Sequence, residues 1–424
     1  MTQPAGGLAT TYVRDLFGNV TALIREALVR EDDLQRRVLI TEYDEAGRVP
    51  VVSWNELGQA RRMQHSSRYG EVVNIVDESG RVQIIERDSF DNILAVSSED
   101  RSRYEIKRVG CYLAHCPKHS AAMEETTTSD GVKTIRFIGV GNEVVETRTI
   151  TQRERLFVNY RYDDRGALLA IRAGTDTDNG FEKAVERDAF GRIVTRLLSG
   201  RVQFTARYQG FDRYITDATG GVAHTRFRRD GKPELLISPS GTRTEISYDV
   251  LGRPILVIRE GIRLLENSYD LLGRRTISRT PEAGTTHYQY NGFDELIGQE
   301  DALGRRTHFE YDALGRMIHR KEVGSETRWI FDRDPRAIGK LNEIKHGSSY
   351  DERLAYDRLG RLKGRSYKID GSEYQLGYEY DGEGRLSELK YPNGVKLKYV
   401  YAFGNVLREI RNGDNEFLYW REDE

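Results

Sequence analysis

The sequence predicts an all-β protein, a long antiparallel β-meander of hairpins whose single sheet has to wind or close. Three observations predict this fold. A Tyr-Asp-x-x-Gly-Arg signature recurs every 21 residues, the residues between its copies alternate as in a strand, and turn residues mark both ends of each period. A sequence period of this size is typical of repeat arrays, in which each unit packs against its neighbours.

The signature extends over nearly the whole chain. Its clearest copies begin at Tyr248, Tyr269, Tyr290 and Tyr311, which follow one another at intervals of 21 residues. Further copies and looser versions occupy residues 356–361 and 380–385, and residues 12–19, 43–48, 162–166 and 187–192. We therefore predict one continuous structural unit, with a degenerate repeat segment at 1–150 and a regular repeat array at 151–424.

Each Asp-x-x-Gly segment is predicted to form the tip of a hairpin. Asp is favoured at the first position of a type I turn, and Gly takes the left-handed conformation that closes such a hairpin with a bulge. The opposite end of each hairpin is marked by a glycine seven residues before a tyrosine, at Gly241, Gly304 and Gly394. One period then holds two strands of about six or seven residues.

Alternation between the turns supports the strand prediction. Thr307, Phe309 and Tyr311 fall on one face of the strand, and His308 and Glu310 fall on the other. The pattern is less regular in the first 150 residues. There, residues 21–37 could form a short helix instead of strands.

The composition argues against a thick apolar core. Only 38% of the 424 residues are hydrophobic and 31% are charged. About forty short strands in one flat sheet would far exceed the usual limit of about ten, so the sheet must wind or close. A single curled layer exposes both faces and relies on cross-strand pairs, a role that suits the 24 tyrosines.

The charge pattern limits the possible partners. The net charge is −2, and no basic stretch interleaved with aromatic residues occurs, so a nucleic-acid partner is not expected. No apolar stretch is long enough for a membrane span, and the first residues lack the features of a signal peptide.

Many arginines directly follow the glycine of the signature. We expect them to carry solvated charges at the hairpin tips, and the alternative is that each guanidinium stacks on a neighbouring tyrosine. Neither interpretation assigns them a catalytic role. These arginines are Arg253, Arg274, Arg316, Arg361 and Arg385.

No catalytic, cofactor-binding or metal site is predicted, and the chain is not expected to be an enzyme. The segment with Cys111, His115, Cys116 and His119 places four potential zinc ligands within nine residues. It would have to coil tightly to bind one ion, and its spacing matches no common zinc finger. A Cys111–Cys116 disulfide is a second alternative if the protein is secreted. An inert structural loop is the expectation.

The repeated signature resembles the YD repeats of the Rhs family, which are shared with insecticidal toxin-complex proteins and, more distantly, with teneurins. The resemblance implies a spiral β-sheet that forms the wall of a hollow shell, within which the bacterial proteins hold a toxic C-terminal region until delivery. It also implies a secreted or exported protein. Shorter similar segments are Ile338-Gly339-Lys340-Leu341, Tyr391-Pro392-Asn393-Gly394, and Cys116-Pro117 with residues 125–128.

Departures from the family pattern limit what the resemblance implies. Full-length members end the shell with a self-cleaving aspartyl site built on two Asp-Pro motifs, whereas this chain has only Asp334-Pro335. Self-cleavage and toxicity are therefore not expected of this segment, and Asp334 is interpreted as a degenerate tip residue. Both ends of the array look cut. The expected partners are flanking shell sequence or a partner chain that completes the cage, and an encapsulated toxin polypeptide supplied elsewhere.

Two alternative functions remain open at this stage. Rows of Tyr and Arg could form an adhesion array that binds cell-surface carbohydrate, because aromatic rings provide apolar platforms beside polar groups. Two periods of 21 residues would also match a four-stranded β-propeller blade. The propeller is disfavoured because successive units look alike.

Overall fold

The chain is one continuous antiparallel sheet in the computed structural model. The model describes residues 7–30, 33–68, 70–99, 103–112, 116–129, 131–151, 155–175, 180–382, 384–401, 407–413 and 418–421. All 37 strands of this part belong to a single sheet, and each strand pairs with the one that follows it in sequence. The predicted all-β meander is confirmed.

The strands are short and regularly spaced. In the first part of the chain they are β1 Ala9–Arg14, β2 Val20–Arg30, β3 Asp33–Tyr43, β4 Pro50–Trp54, β5 Ala60–His65, β6 Val72–Val76, β7 Val82–Arg87, β8 Ile93–Ser98, β9 Arg103–Gly110, β10 Ser120–Thr128, β11 Lys133–Gly139, β12 Val144–Ile150, β13 Arg155–Tyr162, β14 Leu168–Thr175, β15 Phe181–Arg187, β16 Ile193–Leu198, β17 Arg201–Gln209 and β18 Asp212–Asp217.

The second part continues in the same way. Its strands are β19 Val222–Phe227, β20 Pro233–Ile237, β21 Arg243–Tyr248, β22 Pro254–Arg259, β23 Ile262–Tyr269, β24 Arg275–Thr280, β25 Gly284–Tyr290, β26 Leu296–Glu300, β27 Arg306–Tyr311, β28 Met317–Glu322, β29 Ser325–Phe331, β30 Leu341–His346, β31 Tyr350–Tyr356, β32 Leu362–Ile369, β33 Ser372–Tyr380, β34 Leu386–Lys390, β35 Lys396–Tyr401, β36 Leu407–Asn412 and β37 Leu418–Arg421. A 3₁₀ turn, Pro335–Ala337, lies between β29 and β30.

The sheet has two long edges formed by turns. We call signature edge the edge built by the tips at residues 15–19, 44–48, 88–92, 188–192, 249–253, 270–274, 291–295, 312–316 and 357–361. We call return edge the opposite edge, built by turns such as 55–59, 77–81, 238–242, 301–305 and 391–395. In both edges the predicted turn glycines lie in the left-handed region, for example Gly315 at φ 77° and Gly304 at φ 73°. The prediction of a turn at each end of the hairpin is confirmed.

The tips close with a bulge, as the turn chemistry predicts. The pairing register shifts between Ser247 and Tyr248, and again between Ser268 and Tyr269. The same shift occurs between Glu310 and Tyr311. Each signature tyrosine therefore ends its strand at a bulge beside the turn.

The sheet is a single layer without a thick core. The accessible surface is 27110 Å², whereas a compact monomer of the same mass would expose roughly 17,000 Å². The few buried apolar side chains include Phe137, Ala27 and Ala95. Both faces of the ribbon are therefore largely open, which fits a wall and does not fit a solid globule.

The ribbon curls so that its later part meets its beginning. The Gly292 N–H donates to the Leu28 carbonyl at 2.8 Å, and Arg81 Nη1 donates to the Leu359 carbonyl at 3.1 Å. These contacts join residues separated in sequence by more than half of the chain, so successive turns of a spiral touch. The predicted spiral shell wall is confirmed at the level of fold.

Two of the alternatives are wrong. The described residues of 21–37, which are 21–30 and 33–37, form no helix, because β2 and β3 pair as a long hairpin in which Arg25 lies opposite Arg37. The β-propeller is also wrong, since its blades would be separate sheets and all described strands share one unclosed sheet. The division at residue 150 stays a prediction, although Ile150 of β12 pairs with Arg155 of β13 across it.

Asp334 lies in a widened tip between β29 and β30. Its side chain accepts a hydrogen bond from the Arg336 N–H at 3.0 Å and so caps the 3₁₀ turn. Phe331 and Asp332 stand where other copies have the Tyr-Asp pair, and Asp332 has φ 60°. The interpretation of Asp334 as a tip residue therefore holds only for its location in the tip, because Asp332 takes the position of the signature acid.

Candidate functional site: the tip array and the seam

The signature aspartate organises each tip through its carboxylate. Asp249 Oδ1 accepts hydrogen bonds from the N–H groups of Leu251 at 3.0 Å and Arg253 at 2.9 Å. Its Oδ2 accepts from Arg253 Nε at 2.6 Å. The Gly252 N–H donates to the Asp249 carbonyl at 3.0 Å and closes the turn. The acid thus satisfies backbone donors that a tight turn otherwise leaves unpaired.

These hydrogen bonds change the proton affinity of the acid. The pKa of Asp249 is lowered from its ordinary value of 3.8, first by the Arg253 N–H, against the opposing effect of desolvation, and then by the Arg253 guanidinium. Both donors favour the ionised carboxylate. The tip is therefore built around a charged aspartate.

The signature tyrosine links its tip to the preceding hairpin. Tyr248 donates its hydroxyl hydrogen to the Pro233 carbonyl at 2.7 Å, and Tyr311 donates to the Leu296 carbonyl at 2.9 Å. The acceptor lies just after the preceding tip, so the hydroxyl spans two neighbouring tips. The same bond is made by Tyr208, Tyr269, Tyr290, Tyr356, Tyr380 and Tyr401.

The arginine after the turn glycine links its tip to the following hairpin. Arg253 is held by Asp249, lies over the ring of Tyr269 at 4.6 Å and donates to the Asp270 carbonyl at 3.4 Å. Arg274 lies over Tyr290 at 5.2 Å. The expectation of solvated tip charges is wrong for these residues, and the stacking alternative is confirmed. Arg316 stacks on Phe331, Arg361 on Tyr380 and Arg385 on Tyr401.

Together these contacts form a row along the signature edge, which we call the tip array; it is interrupted at the tip 291–295, where Glu295 takes the place of the arginine. Each Arg of the row bridges its own Asp and the next aromatic ring, which is Phe331 for Arg316, and each Tyr reaches back to the preceding hairpin. A cation–π contact contributes about 0.5–1 kcal/mol at an exposed site. A net hydrogen bond contributes about 0.5–1.5 kcal/mol. Repetition along the edge lets a thin layer hold its curvature without a core.

A second set of contacts joins one turn of the spiral to the next, and we call it the seam. It runs between the return edge around residues 27–81 and the signature edge around residues 291–361. Arg37 makes a bidentate ion pair with Glu295, at 2.7 and 2.9 Å, and lies over the Phe293 ring at 3.9 Å. Both partners of the pair are almost completely buried. Such a pair fixes the position of one turn against the next because leaving either charge unpaired is costly.

The seam extends well beyond this pair. Gln59 donates to Asp332 Oδ2 at 3.1 Å, and Arg316 Nη2 donates to the same oxygen at 2.6 Å. Burial alone would raise the pKa of Asp332, but hydrogen bonds from Arg316, Gly339 and Gln59 outweigh it and lower that pKa. The side-chain donors that cross the seam, Arg37, Gln59 and Arg81, come from the return edge, whereas the backbone bond from Gly292 to Leu28 runs in the opposite direction.

The sequence analysis missed two buried carboxylates that form ion-pair clusters on the wall. The Glu352 side chain is almost completely buried, pairs with Arg365 and accepts the Tyr350 hydroxyl at 2.6 Å. Burial, followed by this bond, raises the pKa of Tyr350 to about 12. Glu343 is equally buried among Arg333, Lys345 and Arg353. Only cross-strand register reveals these clusters, since carboxylates and arginines occur throughout the sequence.

The cysteine segment lies on the signature edge between β9 and β10. Cys111 and Cys116 form a disulfide with 5.7 Å between their Cα atoms, so the expectation of an unlinked inert loop is wrong. Zinc binding would need the thiolates that the disulfide removes. His115 lies outside the described residues, and His119 has φ 68°. Among the described residues, no group of three or more His, Cys, Asp or Glu is arranged to hold a metal ion.

Comparison with known proteins identifies the family of the repeats. The family model for the RHS repeat matches residues 290–327 and 356–396. The repeats of these two segments are RHS, or YD, repeats. The matched segments contain the signature tips at 291–295, 312–316 and 357–361, all three of which lie on the seam.

Curated relatives of this chain are bacterial proteins with toxin or nuclease names. The chain is 27% identical to Toxin protein Tse5 of Pseudomonas aeruginosa over 231 residues, which are 48% of this chain and 17% of that protein. It is 24% identical to Probable deoxyribonuclease RhsB of Dickeya dadantii over 238 residues, which are 50% of this chain and 16% of that protein. The chain therefore spans a small part of each of these relatives.

Solved structures with the same fold come from Tc toxins. The chain superposes on TcdB2-TccC3 without its hypervariable C-terminal region with a TM-score of 0.57 and 11% identity, covering 96% of this chain and 32% of that one. A Tc holotoxin pore of Photorhabdus luminescens gives a TM-score of 0.57 at 10% identity, covering 98% of this chain and 32% of that one. This similarity shows a shared fold. The described part of the chain also contains no helix with the length and apolar character needed to cross a membrane.

Proposed function

We propose that this chain is a non-enzymatic wall segment of an exported Rhs protein, and that the wall encapsulates a C-terminal toxin or effector supplied elsewhere. The observation that carries the proposal is the seam, where one turn of a single-layered ribbon docks on the next. A ribbon that seals against itself separates two sides of a wall. An unsealed ribbon would leave a gap through which a cargo chain could be reached.

The architecture supports the proposal in two directions. The tip array joins hairpins along the ribbon, and the seam joins turns across it, so the wall resists opening in both directions. Neither direction needs an apolar filling. The interior is thus free for a cargo, and flanking shell sequence or a partner chain would complete the cage.

The relatives support the proposal that the chain is part of an exported toxin. Toxin protein Tse5 and the Tc toxin chains carry the repeat or the fold over a part of their length that matches this chain. A shared repeat segment beside different toxins is what a common container would show. Cargo identity would then be determined outside the repeat.

The adhesion hypothesis has no supporting observation. Its rows of Tyr and Arg are occupied by one another in the tip array, with each hydroxyl bonded to a backbone carbonyl. A sugar would have to displace these contacts to stack on the rings.

Protease protection of the cargo tests the encapsulation proposal. The experiment uses the longer natural polypeptide with its C-terminal region, digested under native conditions. We expect the C-terminal region to be cut at least about tenfold more slowly than the same region expressed alone, because opening is needed before cleavage. Equal cleavage rates would contradict the proposal.

A variant that disrupts the seam provides a comparison in the same protease experiment. In Gly292→Val the added side chain meets Ala27 Cβ at 2.7 Å and the Leu28 backbone at 3.1 Å, so the seam cannot close there. The cargo should become accessible. Gly382→Ala is the control, since nothing lies within 4 Å of its added Cβ.

A further inference from the structure

The signature edge differs between its docked and undocked parts. At the second residue after the tip acid, Phe293, Leu314 and Leu359 of the seam are half-buried. Five of the corresponding residues outside the seam are exposed and apolar, whereas Arg68, Arg165 and Asp230 occupy this position in other tips. We call the five apolar residues the apolar tip row: Phe17 at 64%, Phe90 at 81%, Phe190 at 83%, Leu251 at 68% and Leu272 at 62% exposure.

Neighbouring side chains extend this apolar edge. Val250 and Leu271, which precede two members of the apolar tip row, are fully exposed. Leu251 and Leu272 lie on neighbouring tips and, with Val250 and Leu271, form an exposed apolar patch, and such patches mark interaction sites. In the tips of the seam, the second residue after the acid is covered by the return edge of another turn of the spiral.

Part of the return edge is also undocked, and there it carries an exposed arginine like the one that donates across the seam. In the seam, Arg81 follows Gly80, pairs with Asp77 at 2.7 Å and donates to the Leu359 carbonyl, and its side chain is 33% exposed. Arg305 follows Gly304 and pairs with Asp301 at 2.6 Å in the same way. Its side chain is 68% exposed. The chain therefore has two unoccupied seam surfaces. The undocked signature edge presents apolar side chains, and the undocked return edge presents the arginine donor.

We infer that the undocked signature edge of one copy of this chain binds the undocked return edge of a second copy, in the manner of the internal seam. The two surfaces are different halves of one contact, so association is head-to-tail. A head-to-tail contact leaves the same two halves open at the ends of each complex, and copies add one after another. The inference concerns this chain alone and does not depend on any cargo.

Sedimentation of the purified 424-residue chain tests the inference. We expect the weight-average mass to rise above that of one chain with increasing protein concentration. The double variant Leu251→Ser with Leu272→Ser and the separate variant Arg305→Gln should each weaken association at least about tenfold, as truncation of a buried contact residue does. Ile84→Ser, an exposed apolar side chain in the middle of strand β7, should change it less than about twofold.

Three outcomes would overturn the inference. The first is a chain that remains monomeric at all concentrations, and the second is association that both edge variants leave unchanged. The third is an equal effect of Ile84→Ser, which would indicate general stickiness. Arg305→Gln alters only an exposed side chain, so the test stands even if the leucine variant fails to fold. Loss of cargo protection in the longer polypeptide, without any change in self-association, would instead contradict the encapsulation proposal.

Discussion

At the residue scale, the signature is a set of bonding roles. Asp caps the backbone of its turn, Gly takes the left-handed conformation, Arg joins its own acid to the next ring, and Tyr joins the preceding hairpin. Each residue uses its own chemical groups for these contacts. A conservative replacement at one position therefore loses at least one of the contacts that the residue makes. Replacement of Arg253 by Lys, for example, would keep the charge and lose the planar group that both stacks and donates.

The tip aspartates make the fold sensitive to acid. Because the pKa of Asp249 is lower in the folded chain than in the unfolded chain, its contribution to stability is complete above the ordinary pKa of 3.8. That contribution is lost as the pH falls through the folded pKa. The pKa values of Asp44, Asp88, Asp163, Asp188, Asp217, Asp270, Asp301 and Asp357 are lowered as well.

We therefore expect the free energy of unfolding to decline steeply as the pH is lowered below about 4. Urea unfolding at a series of pH values measures this dependence. Asp249→Asn should lower stability at pH 7 and make the acid decline slightly shallower. A free energy of unfolding that stays constant from pH 6 to about pH 3 would contradict the prediction.

At the element scale, the hairpin with its two turns is the unit that the chain repeats. Strand pairing is entirely between sequence neighbours, and the bulge beside each signature tyrosine fixes the register. A one-residue slip would turn the tyrosines to the opposite face and break the tip array. Local turn chemistry therefore decides the arrangement of the whole ribbon.

The turn glycine is the element's most restrictive position. Gly315 has φ 77°, and an added Cβ would lie 3.1 Å from Glu295 Oε1. We expect Gly315→Val to lower the free energy of unfolding by about 1–2 kcal/mol, because a β-branched residue is strained in the left-handed region. Chemical unfolding followed by circular dichroism measures the loss.

Gly382→Ala provides the comparison, since that glycine is not left-handed and has open space around its Cβ. It should change stability by less than about 0.5 kcal/mol. If Gly315→Val is as stable as the wild type, the turn assignment at residues 312–316 is wrong.

At the scale of the whole molecule, closure of the spiral, and not a core, holds distant parts of the chain together. The buried pair of Arg37 and Glu295 and the bond from Gly292 to Leu28 hold two distant parts of the chain together. We expect that loss of the seam would leave the hairpins intact and let the spiral open. The overall shape of the spiral and the local structure of the hairpins therefore depend on different contacts.

Small-angle scattering measures the overall shape, and circular dichroism measures the strand content. The wild-type chain should show an open particle that is large for its mass, and a compact disc would count against the spiral wall. Gly292→Val should increase the radius of gyration while the circular dichroism of the strands is retained. Gly382→Ala should leave both unchanged. An unaltered radius of gyration in Gly292→Val would show that the seam does not hold the spiral closed.

The sequence by itself determined the hairpins, their tips and the need for the sheet to curl. These features depend on local chemistry, such as the left-handed Gly315 and the turn-capping Asp249, and local chemistry can be read along the chain. The solvated-arginine expectation failed because the ring that receives Arg253 belongs to the next repeat. Only the tertiary structure decided the seam, since the contact between Arg37 and Glu295 depends on how much each hairpin bends the ribbon. That bend accumulates over the whole turn, so no single residue reveals which tips meet.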